Sequence, residues 1–258
     1  MKRVFITGAS SGIGAALAWA YAQQGATLGL LGRRSDALER LIASLPDPQR
    51  HRAYTVDVQD HAALRAAAHG FIRHAGGIDI VIANAGVSHG TLTEHAEDLA
   101  VFETIIATNL TATVATFAPF IETMKTQASG GRLVGIGSVA GIRGLPGAEA
   151  YSASKAAVIS YCESLRLGMK AHGIRVVTLA PGYIDTPMTR KNAYPMPFLM
   201  SAERFAASAL RAIAAGDSYR VIPWQMGLVA KLLRLLPNFL YDLAFRKAPH
   251  KARKGIPS

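Results

Sequence analysis

The residues best suited to chemistry in this sequence are a tyrosine and a lysine four positions apart, Tyr151 and Lys155. On a helix, positions i and i+4 share a face, so the phenol and the ammonium are expected to point the same way. A free tyrosine has a pKa of about 10, which makes it a poor proton exchanger at neutral pH. A nearby positive charge lowers that pKa and suits general acid–base catalysis. The pair predicts a proton-transferring tyrosine, although the same spacing also occurs as an ordinary surface feature.

A glycine-rich segment at 7–14, Thr-Gly-Ala-Ser-Ser-Gly-Ile-Gly, follows an apolar run and opens a helical pattern. Glycines allow a tight turn and a close approach to a pyrophosphate, whose charge is favoured at a helix N-terminus. The spacing is TGxxxGxG rather than the generic GxGxxG. We predict a dinucleotide site here; the alternative is a turn that only packs a strand against a helix.

The next apolar run ends in Gly32-Arg33-Arg34, which indicates the type of dinucleotide. An NAD-binding domain usually has an acidic residue about 20 residues after the glycines, where it accepts from the ribose 2′-hydroxyl. Here Gly32 stands in that place, and a guanidinium can grip a 2′-phosphate. We predict NADPH over NADH, with Arg33 as the chief contact and Arg34 as an accessory. The alternative is two solvated arginines that begin a helix.

Short apolar runs alternate with longer stretches of helical period along the chain. The predicted strands are 3–7, 27–31, 51–56, 79–84, 132–138, 174–179 and 219–222. The predicted helices are 12–24, 35–44, 60–74, 98–126, 151–172 and 201–215. Helix-ending glycines and helix N-caps agree with these bounds at Gly25, Gly76, Gly173, Gly216, Asp60 and Ser201. Right-handed crossovers then predict an α/β fold, a doubly wound, seven-stranded parallel sheet with helices on both faces.

Further motifs follow the glycine segment in a fixed order. They are Asn84-Ala85-Gly86 after the fourth strand, Asn109 in the long helix, Ser138 at the end of the fifth strand, Tyr151-Ser-Ala-Ser-Lys155, Pro181-Gly182 after the sixth strand, and Thr186. With these motifs the chain resembles the short-chain dehydrogenase/reductase family from residue 4 to about 190, and the strand–helix alternation extends the match to about 222. The resemblance implies an NAD(P)-dependent oxidoreductase that acts on carbonyl and alcohol groups.

The resemblance also implies four catalytic roles. Tyr151 would protonate the developing alkoxide and would act as the base in the reverse direction. Lys155 would bind the nicotinamide ribose and lower the pKa of Tyr151. Ser138 would orient the substrate oxygen, unless it only caps a turn. Asn109, in a distorted helix, would hold through its backbone a water that links Lys155 to solvent, unless it is an ordinary polar residue of that helix.

Cofactor contacts are implied along the ends of the strands. These are Gly8, Ser10, Ser11, Gly12, Ile13, Gly14, Arg33, Arg34, Asp57, Val58, Asn84, Ala85, Gly86, Tyr151, Lys155, Pro181, Gly182, Ile184 and Thr186. Asp57 and Val58 would contact adenine, and Thr186 would bond the nicotinamide carboxamide. The chain has Ala83 before Asn84, where the family more often has asparagine; no catalytic group is lost by this change.

Composition excludes several classes of protein and site. Half of the 258 residues are hydrophobic and 17% are charged, which excludes a disordered chain. Cys162 is the only cysteine, so no intrachain disulfide or cysteine-cluster metal site can form, as in a reducing compartment. The eight histidines show no HExxH or HxH spacing, and we predict no metal.

The net charge of +11 is unevenly distributed along the chain, because residues 203–258 hold ten basic and three acidic residues. A basic segment can attract a membrane surface or nucleic acid, but no zinc finger, RNP motif or basic heptad helix accompanies it, so we predict no nucleic-acid partner. The apolar run at 4–6 is too short for a signal peptide, and we expect no helix that spans a bilayer. The predicted location is the cytoplasm.

The tail at 223–258 is predicted as an extension of a catalytic domain at 1–222. In the unusual stretch 224–247, Gly227, Lys231, Arg234 and Asn238 form a narrow stripe among apolar residues at 226–236, and Pro237 interrupts the pattern before a second apolar run at 239–245. Such a helix must be covered. One hypothesis is an interfacial anchor through 224–254 at the inner face of an anionic membrane. The other is packing over the substrate pocket or against another subunit.

Three segments are expected to set substrate choice, at 87–92, 139–148 and 188–200. The last is rich in methionine, proline and aromatic residues and predicts an apolar lid over an apolar substrate, or else a loop that only covers the core edge. The leading hypothesis is an NADPH-dependent carbonyl reductase, reversible as a secondary-alcohol dehydrogenase. The alternatives are a membrane-peripheral reductase of long-chain or lipid ketones and a non-catalytic NADP-binding regulator. The resemblance suggests a homodimer or homotetramer built on helices 98–126 and 151–172.

Overall fold

The computed structural model describes residues 1–192, 194–246, 248, 251 and 253. The strands in chain order are β1 (Arg3–Thr7), β2 (Thr27–Gly32), β3 (Arg52–Thr55), β4 (Ile80–Ala83), β5 (Gly131–Ile136), β6 (Ile174–Pro181), β7 (Ile184–Asp185), β8 (Met200–Ser201) and β9 (Tyr219–Ile222). Seven of them form one parallel sheet in the order β3-β2-β1-β4-β5-β6-β9, as predicted.

Helices cover both faces of this sheet. They are α1 (Gly12–Ala22), α2 (Ser35–Ser44), α3 (His61–Ala75), α4 (Asp98–Ile106), α5 (Ala112–Thr126), α6 (Glu149–Met169), α7 (Ala202–Ala215), α8 (Trp224–Leu235) and α9 (Asn238–Phe245). Alternate residues of a strand point to opposite faces, so Val4 and Ile6 pack in one core with α1 and α7, whereas Phe5 packs in a second core with α3 and α5. The middle residues of β1 are therefore apolar on both faces.

The strand order reverses between β1 and its two neighbours, β2 and β4. In an open parallel sheet this reversal leaves a crevice at the carboxyl ends of the strands, where ligands bind. The glycine segment lies there, between β1 and α1. The fold alone therefore brings the predicted cofactor residues to one edge of the sheet.

Most element bounds agree with the sequence within one to three residues, and the predicted caps are confirmed. Asp60 and Ser201 accept hydrogen bonds from the backbone N–H groups of Ala63 and Arg204. The four helix-ending glycines have φ angles between +68° and +75°. The short pair β7–β8, which joins Ile184 to Met200, was not predicted, because two-residue strands leave no alternating pattern.

The stretch predicted as one helix at 98–126 is helical throughout, but its hydrogen-bond pattern changes in the middle. A π-helical turn, Ala107–Thr111, separates α4 from α5. Such turns often occur at functional sites. Asn109 lies within the turn, so the distorted helix implied by the family resemblance is present.

The stretch Asp98–Thr126 is also long and apolar enough to cross a membrane by length and composition alone. The prediction that no helix spans a bilayer is not tested by this criterion, which buried core helices also meet. Within the fold, Phe117 and Phe120 of this stretch are fully buried in the core that contains Phe5. The stretch owes its apolar character, at least on that side, to packing against the sheet.

The two tail helices, α8 and α9, follow the last strand of the sheet. The buried side of α8 contains Met226, Gly227 and Ala230. Packing is close, since a Cβ on Gly182 would lie 2.7 Å from Cγ of Met226. The predicted interruption at Pro237 is confirmed, because Pro237 is the N-cap of α9.

Candidate active site

The glycine turn between β1 and α1 is shaped by backbone contacts that only glycine permits. Gly8 has φ +66°, and a Cβ there would lie 2.7 Å from Cα of Ala85. A Cβ on Gly14 would lie 2.3 Å from the carbonyl oxygen of Gly8. Ser11, the N-cap of α1, makes no side-chain capping hydrogen bond. The N–H groups of the first turn are thus left for a ligand, and they favour an anion.

The end of β4 is fastened to this turn by Asn84. Its Nδ2 donates to the carbonyl oxygens of Thr7 (3.0 Å) and Gly8 (3.2 Å). In return, the hydroxyl oxygen of Thr7 accepts from the backbone N–H groups of Asn84 and Ala85, both at 3.2 Å. These bonds hold the two strand ends together where the crevice opens.

The two arginines after β2 have different contacts. Arg34 donates from Nη2 to the carbonyl oxygen and Oγ of Ser10, at 3.2 and 3.1 Å. Arg33 lies with Nη1 3.7 Å from Oδ2 of Asp57, and its side chain is 69% exposed. The structure therefore places Arg34 against the glycine turn and leaves Arg33 open at the rim, near the predicted adenine-side residue Asp57.

The residues proposed to act on the substrate meet at the ends of β5 and α6. The hydroxyl of Ser138 lies near the phenol of Tyr151 and partly offsets the rise in its pKa that burial causes. Oγ of Ser138 accepts from the backbone N–H of Ala140 at 3.1 Å, so Ser138 does cap the turn that follows β5. Lys155 lies with Nζ 5.9 Å from the centre of the Tyr151 ring.

The expected effect of Lys155 on Tyr151 is not found. Burial raises the pKa of Tyr151 above its usual value of about 10, opposed only by the Ser138 hydrogen bond. The ammonium of Lys155 is turned toward the backbone, where Nζ donates to the carbonyl oxygen of Ile136 at 2.8 Å. Burial lowers the pKa of Lys155 itself to about 8. The sequence indicates the charge of Lys155 but not the burial of the phenol, and burial disfavours the charged phenolate.

Asn109 is fully engaged within the π turn. Its Oδ1 accepts from the backbone N–H of Val87 (2.8 Å), and its Nδ2 donates to the carbonyl oxygen of Val87 (3.0 Å) and to Oγ of Ser154 (2.9 Å). The hydroxyl of Thr113 donates to the Asn109 carbonyl at 2.8 Å. Asn109 thereby joins the loop after β4 to α6.

The segment after β6 closes the cleft near α1. Thr186 is buried, and a Cβ on Gly12 would lie 3.1 Å from its Cγ2. The Thr186 backbone N–H donates to Oγ1 of Thr189 at 3.0 Å, so this turn is held by its own hydroxyl groups. Pro181, Gly182 and Ile184 continue the same wall.

One cleft of about 340 Å³, a volume typical of small-molecule sites, joins these parts. All predicted catalytic and cofactor residues line it except Gly14 and Asn109, which lie behind its wall. Sequence reasoning assigned no role to six lining residues, Gly32, Val56, Thr108, Ile136, Gly137 and Pro187, whereas Val87, Met188 and Thr189 lie in the segments predicted to set substrate choice. Each stands within a few residues of a predicted one, so extending the motifs along their strands and loops would have found them.

Two residues that belong to none of the motifs, Tyr194 and Lys251, lie near Tyr151. Tyr194 of the 188–200 segment stands edge-on to Tyr183, with ring centres 6.3 Å apart. Burial, with Tyr183 and Tyr151 nearby, raises the pKa of Tyr194 to about 12. Lys251 of the tail lies with Nζ 5.4 Å from the Tyr151 ring centre. Ala193 of the 188–200 segment lies outside the described residues.

Among the residues that the structure describes, no group of three His, Cys, Asp or Glu side chains is arranged to hold a metal ion. The polar groups that line the cleft are hydroxyl, ammonium, guanidinium, carboxylate and amide groups.

Curated relatives match nearly the whole chain. An oxidoreductase of Myxococcus xanthus, described as uncharacterized, is 36% identical over 251 residues, which cover 95% of this chain and 97% of that protein. An oxidoreductase of Mycobacterium tuberculosis, described in the same way, is 39% identical over 228 residues, which cover 86% of this chain and 88% of that protein.

Solved structures share the fold. Levodione reductase matches with a TM-score of 0.77 at 25% identity, over 88% of this chain and 98% of that one. The 3-ketoacyl-(acyl-carrier-protein) reductase of Brucella melitensis complexed with NADH (TM-score 0.78) and ElxO with NADP bound (0.76) match at 24% identity. Both matches cover 86% of this chain and 96% of the other.

The family model of the short-chain dehydrogenases matches residues 2–195, which include the glycine turn, Ser138, Tyr151 and Lys155. The chain therefore belongs to the short-chain dehydrogenase/reductase family of NAD(P)-dependent oxidoreductases.

Proposed function

We propose that this protein is an NADPH-dependent reductase that converts a ketone or aldehyde to an alcohol and, in reverse, oxidises a secondary alcohol. The observation that carries the proposal is that Ser138 and Tyr151 lie together in the same cleft as the glycine turn. A protein that only bound a dinucleotide would not need this pair. The regulator hypothesis is therefore the weaker one.

The cleft fits a dinucleotide phosphate. The uncapped first turn of α1 and the glycines before it would hold the pyrophosphate. The guanidinium groups of Arg33 and Arg34 would hold the 2′-phosphate at the rim, where Arg34 already contacts Ser10. Asp57 and Val58 would border the adenine, and Thr186 the carboxamide. When bound, the nicotinamide supplies or accepts the hydride.

The chain's own groups would orient the substrate and supply the proton. Ser138 would donate a hydrogen bond to the carbonyl oxygen and position it next to the phenol of Tyr151. Because burial raises the pKa of Tyr151, the phenol is protonated at neutral pH and suits the acid of the reduction. Lys155 would bind the ribose hydroxyl groups, and the Asn109 carbonyl would hold a water linking Lys155 to solvent.

The substrate has an apolar body in this proposal. Tyr194 of the 188–200 segment lies edge-on to Tyr183, which precedes β7, and Met188 lines the cleft. Aromatic and thioether side chains adapt to apolar ligands of different shape. We therefore propose an apolar carbonyl compound whose body packs beneath this segment.

The proposal is tested by following NADPH oxidation with a panel of ketones and aldehydes of graded size, and by measuring the alcohol formed. One alcohol per NADPH consumed, with at least one carbonyl reduced at kcat/KM above about 10³ M⁻¹s⁻¹, is expected; ordinary enzymes reach about 10⁴–10⁸ M⁻¹s⁻¹. NADPH that binds but is oxidised by no carbonyl compound would favour the regulator hypothesis instead.

A second candidate function, a membrane-peripheral reductase of long-chain or lipid ketones, is favoured by the outer sides of α8 and α9. Six large apolar side chains there are each at least 55% exposed: Trp224, Leu228, Leu232, Leu235, Phe239 and Leu243. Lys231, Arg234 and Arg246 add positive charge beside them. Lys247 and Lys254, also counted in the basic tail, lie outside the described residues. An apolar face with basic neighbours suits an anionic lipid surface.

Sedimentation with anionic liposomes tests this second candidate. The wild type is expected to pellet at low salt, whereas the double variant Leu232→Ser/Leu235→Ser remains in the supernatant. The matched control is Leu99→Ser/Leu167→Ser, which removes two similarly exposed leucines from α4 and α6 and should pellet like the wild type. A wild type that stays in the supernatant contradicts the candidate, as does equal pelleting of all three proteins.

We further propose a homodimer or homotetramer in the cytoplasm, in contact with the inner face of the membrane when the tail helices bind. Family members are commonly oligomeric. Exposed Leu99, Val114 and Leu167 on α4, α5 and α6 supply apolar surface for such contacts. Light scattering of the purified protein measures the subunit number directly, and a monomer at micromolar concentration would contradict this proposal.

A further inference from the structure

The described part of the tail after α8 reaches Tyr151 and the start of α4. We call its described residues from Leu236 to Arg253, which include α9, the C-terminal strap. Its far end is held by Arg253, whose Nε and Nη2 donate to the two oxygens of Asp98 at 2.8 and 3.0 Å. Nη2 also reaches Glu97 at 2.9 Å, and Arg253 forms a β-bridge with Gly90. The side chains of Arg253 and Asp98 are only 15% and 7% exposed, which makes this a firm attachment.

The near end of the strap is held by the opposite wall of the cleft, the loop that follows Ser138. Arg143 of that loop donates to the carbonyl oxygens of Leu233 (2.7 Å) and Leu236 (2.8 Å) at the end of α8. Its guanidinium also lies 4.0 Å from the centre of the Tyr241 ring. The hydroxyl of Tyr241 donates to the carbonyl of Gly144 at 2.6 Å. The strap is therefore attached at both ends to residues of the preceding domain, the loop after Ser138 and the start of α4.

Between these attachments, Lys251 points to the reactive end of the cleft. Its ammonium is 5.4 Å from the Tyr151 ring centre and donates to Oγ of Ser88 at 2.6 Å. No carboxylate lies within 4.0 Å of it among the described residues, and Ser88 is its only hydrogen-bond acceptor there. Burial lowers the pKa of Lys251 to about 8, so the group is charged at neutral pH.

A half-buried ammonium with one neutral partner is costly unless an anion completes its surroundings. Lys155 adds a second positive charge nearby, because its Nζ lies 5.9 Å from the centre of the same Tyr151 ring. An anion between the two ammonium groups is therefore favoured further. Two of the three donors of the Lys251 ammonium have no acceptor in the described structure. The charge therefore faces the cleft uncompensated, next to the place proposed for the substrate carbonyl.

We propose that Lys251, assisted by Ser88, is a specificity residue that binds an anionic group of the carbonyl substrate. The substrate class is an oxo compound that carries a carboxylate, sulfonate or phosphate within a few bonds of its carbonyl carbon. This inference rests on the proposed reductase function and adds a charged end to the apolar body described above. It also gives the strap a role, since its two attachments fix the ammonium at one distance from Tyr151.

The test compares oxo acids with their methyl esters in the full-length protein. Lys251→Met keeps the length of the side chain and removes the charge, and Lys251→Arg retains the charge. The matched control is Lys231→Met, which removes the same charge from an exposed position of α8. Circular dichroism and the thermal midpoint establish that each variant is folded.

For Lys251→Met we expect kcat/KM for oxo acids to fall at least about tenfold, mainly through a higher KM, as for a lost hydrogen bond to a charged group. The methyl esters should change less than about twofold, so the acid-to-ester ratio falls. Lys251→Arg should retain most of the ratio, and Lys231→Met all of it.

Binding of 3-phenylpropionate, a carboxylate that cannot be reduced, is measured by calorimetry to separate this inference from the proposed function. Binding to the wild type and to Lys251→Arg but not to Lys251→Met supports the anion site even without turnover. An unchanged acid-to-ester ratio in Lys251→Met, or a gain on neutral ketones alone, overturns the inference while the reductase function stands. Failure of every carbonyl to oxidise NADPH overturns the function instead.

Discussion

The glycine turn after β1 and the C-terminal strap border different parts of one cleft, and they are held there by different forces. The turn is fixed by backbone contacts, with Gly14 and Gly8 so close that no Cβ fits between them. The strap is fixed by two arginines, Arg143 and Arg253, which bind carbonyl oxygens and carboxylates. Contacts that exclude a Cβ restrict the residue type to glycine and leave a motif in the sequence. Arginine attachments leave no comparable trace.

We predict that the preference for NADPH over NADH depends on the glycine turn and the arginines beside it, and not on the strap. In Arg33→Asp a carboxylate replaces the cation at the rim and repels a 2′-phosphate, so the NADPH-to-NADH ratio of kcat/KM should fall about 100-fold, the equivalent of about 2.7 kcal/mol. Arg34→Asp should give a smaller fall. Arg40→Asp makes the same charge change in α2 outside the cleft and should leave the ratio unchanged. A ratio unaffected by Arg33→Asp would refute the assignment.

The steric nature of the turn is tested by adding one methyl group. Gly14→Ala should lower the free energy of unfolding by about 1–3 kcal/mol, because the new Cβ meets backbone atoms that cannot yield cheaply. Its control is Gly168→Ala in α6, where nothing lies within 4 Å of the added atom. There the helix should gain about 0.5–1 kcal/mol. Denaturant unfolding measures both, and equal effects of the two substitutions would show that the turn is not closely packed.

Removing an arginine that attaches the strap should lower the stability of the protein less than Gly14→Ala does. Arg143→Met removes hydrogen bonds to the end of α8 and the contact with Tyr241, and should cost about 1–2 kcal/mol, or about 2–6 °C in Tm. Arg234→Met, an exposed arginine of the same tail, is the control with no expected effect. If Arg143→Met melts like the wild type, the tail is not held by this loop.

The weakest expected effect is a pH dependence at the far attachment of the strap. Hydrogen bonds from Arg253 hold the pKa of Asp98 below its usual range. A lowered pKa in the folded state means that the ion pair stabilises the protein above the unfolded pKa of about 3.9, and that this stability is lost as the pH falls through the folded value. The Tm difference between wild type and Asp98→Asn should therefore be present at pH 5–8 and shrink below pH 4. Glu97→Gln, at an exposed residue with one bond to Arg253, should show a smaller difference. A difference that grew on acidification would contradict this account.

The sheet and the cofactor half of the site could be predicted because periodicity and glycine spacing record them directly. Each strand of the sheet alternates with a helix, and the TGxxxGxG turn requires its glycines for the close contacts that the structure contains. The position of Lys251 could not be predicted in this way. It depends on where the chain returns after α8 and α9, which is decided by contacts such as that of Arg253 with Asp98, 155 positions apart. Sequence separation of that size carries no periodic pattern.

The protonation of the catalytic groups was also beyond the sequence. The spacing of Tyr151 and Lys155 gave the right neighbours, but the pKa of the phenol depends on burial, which raises it. It also depends on where the lysine directs its ammonium, which is the Ile136 carbonyl. Both are consequences of packing and not of spacing.

The central claim is that Tyr151 transfers the proton to a carbonyl in this cleft, and Tyr151→Phe tests it most directly. Turnover and NADPH binding are measured on the same variant, the first by NADPH oxidation with the best carbonyl substrate and the second by fluorescence titration. The account predicts that kcat falls about 10²–10⁴-fold while the Kd for NADPH changes less than about twofold, because only the proton donor is removed. A variant that turns over like the wild type would contradict it.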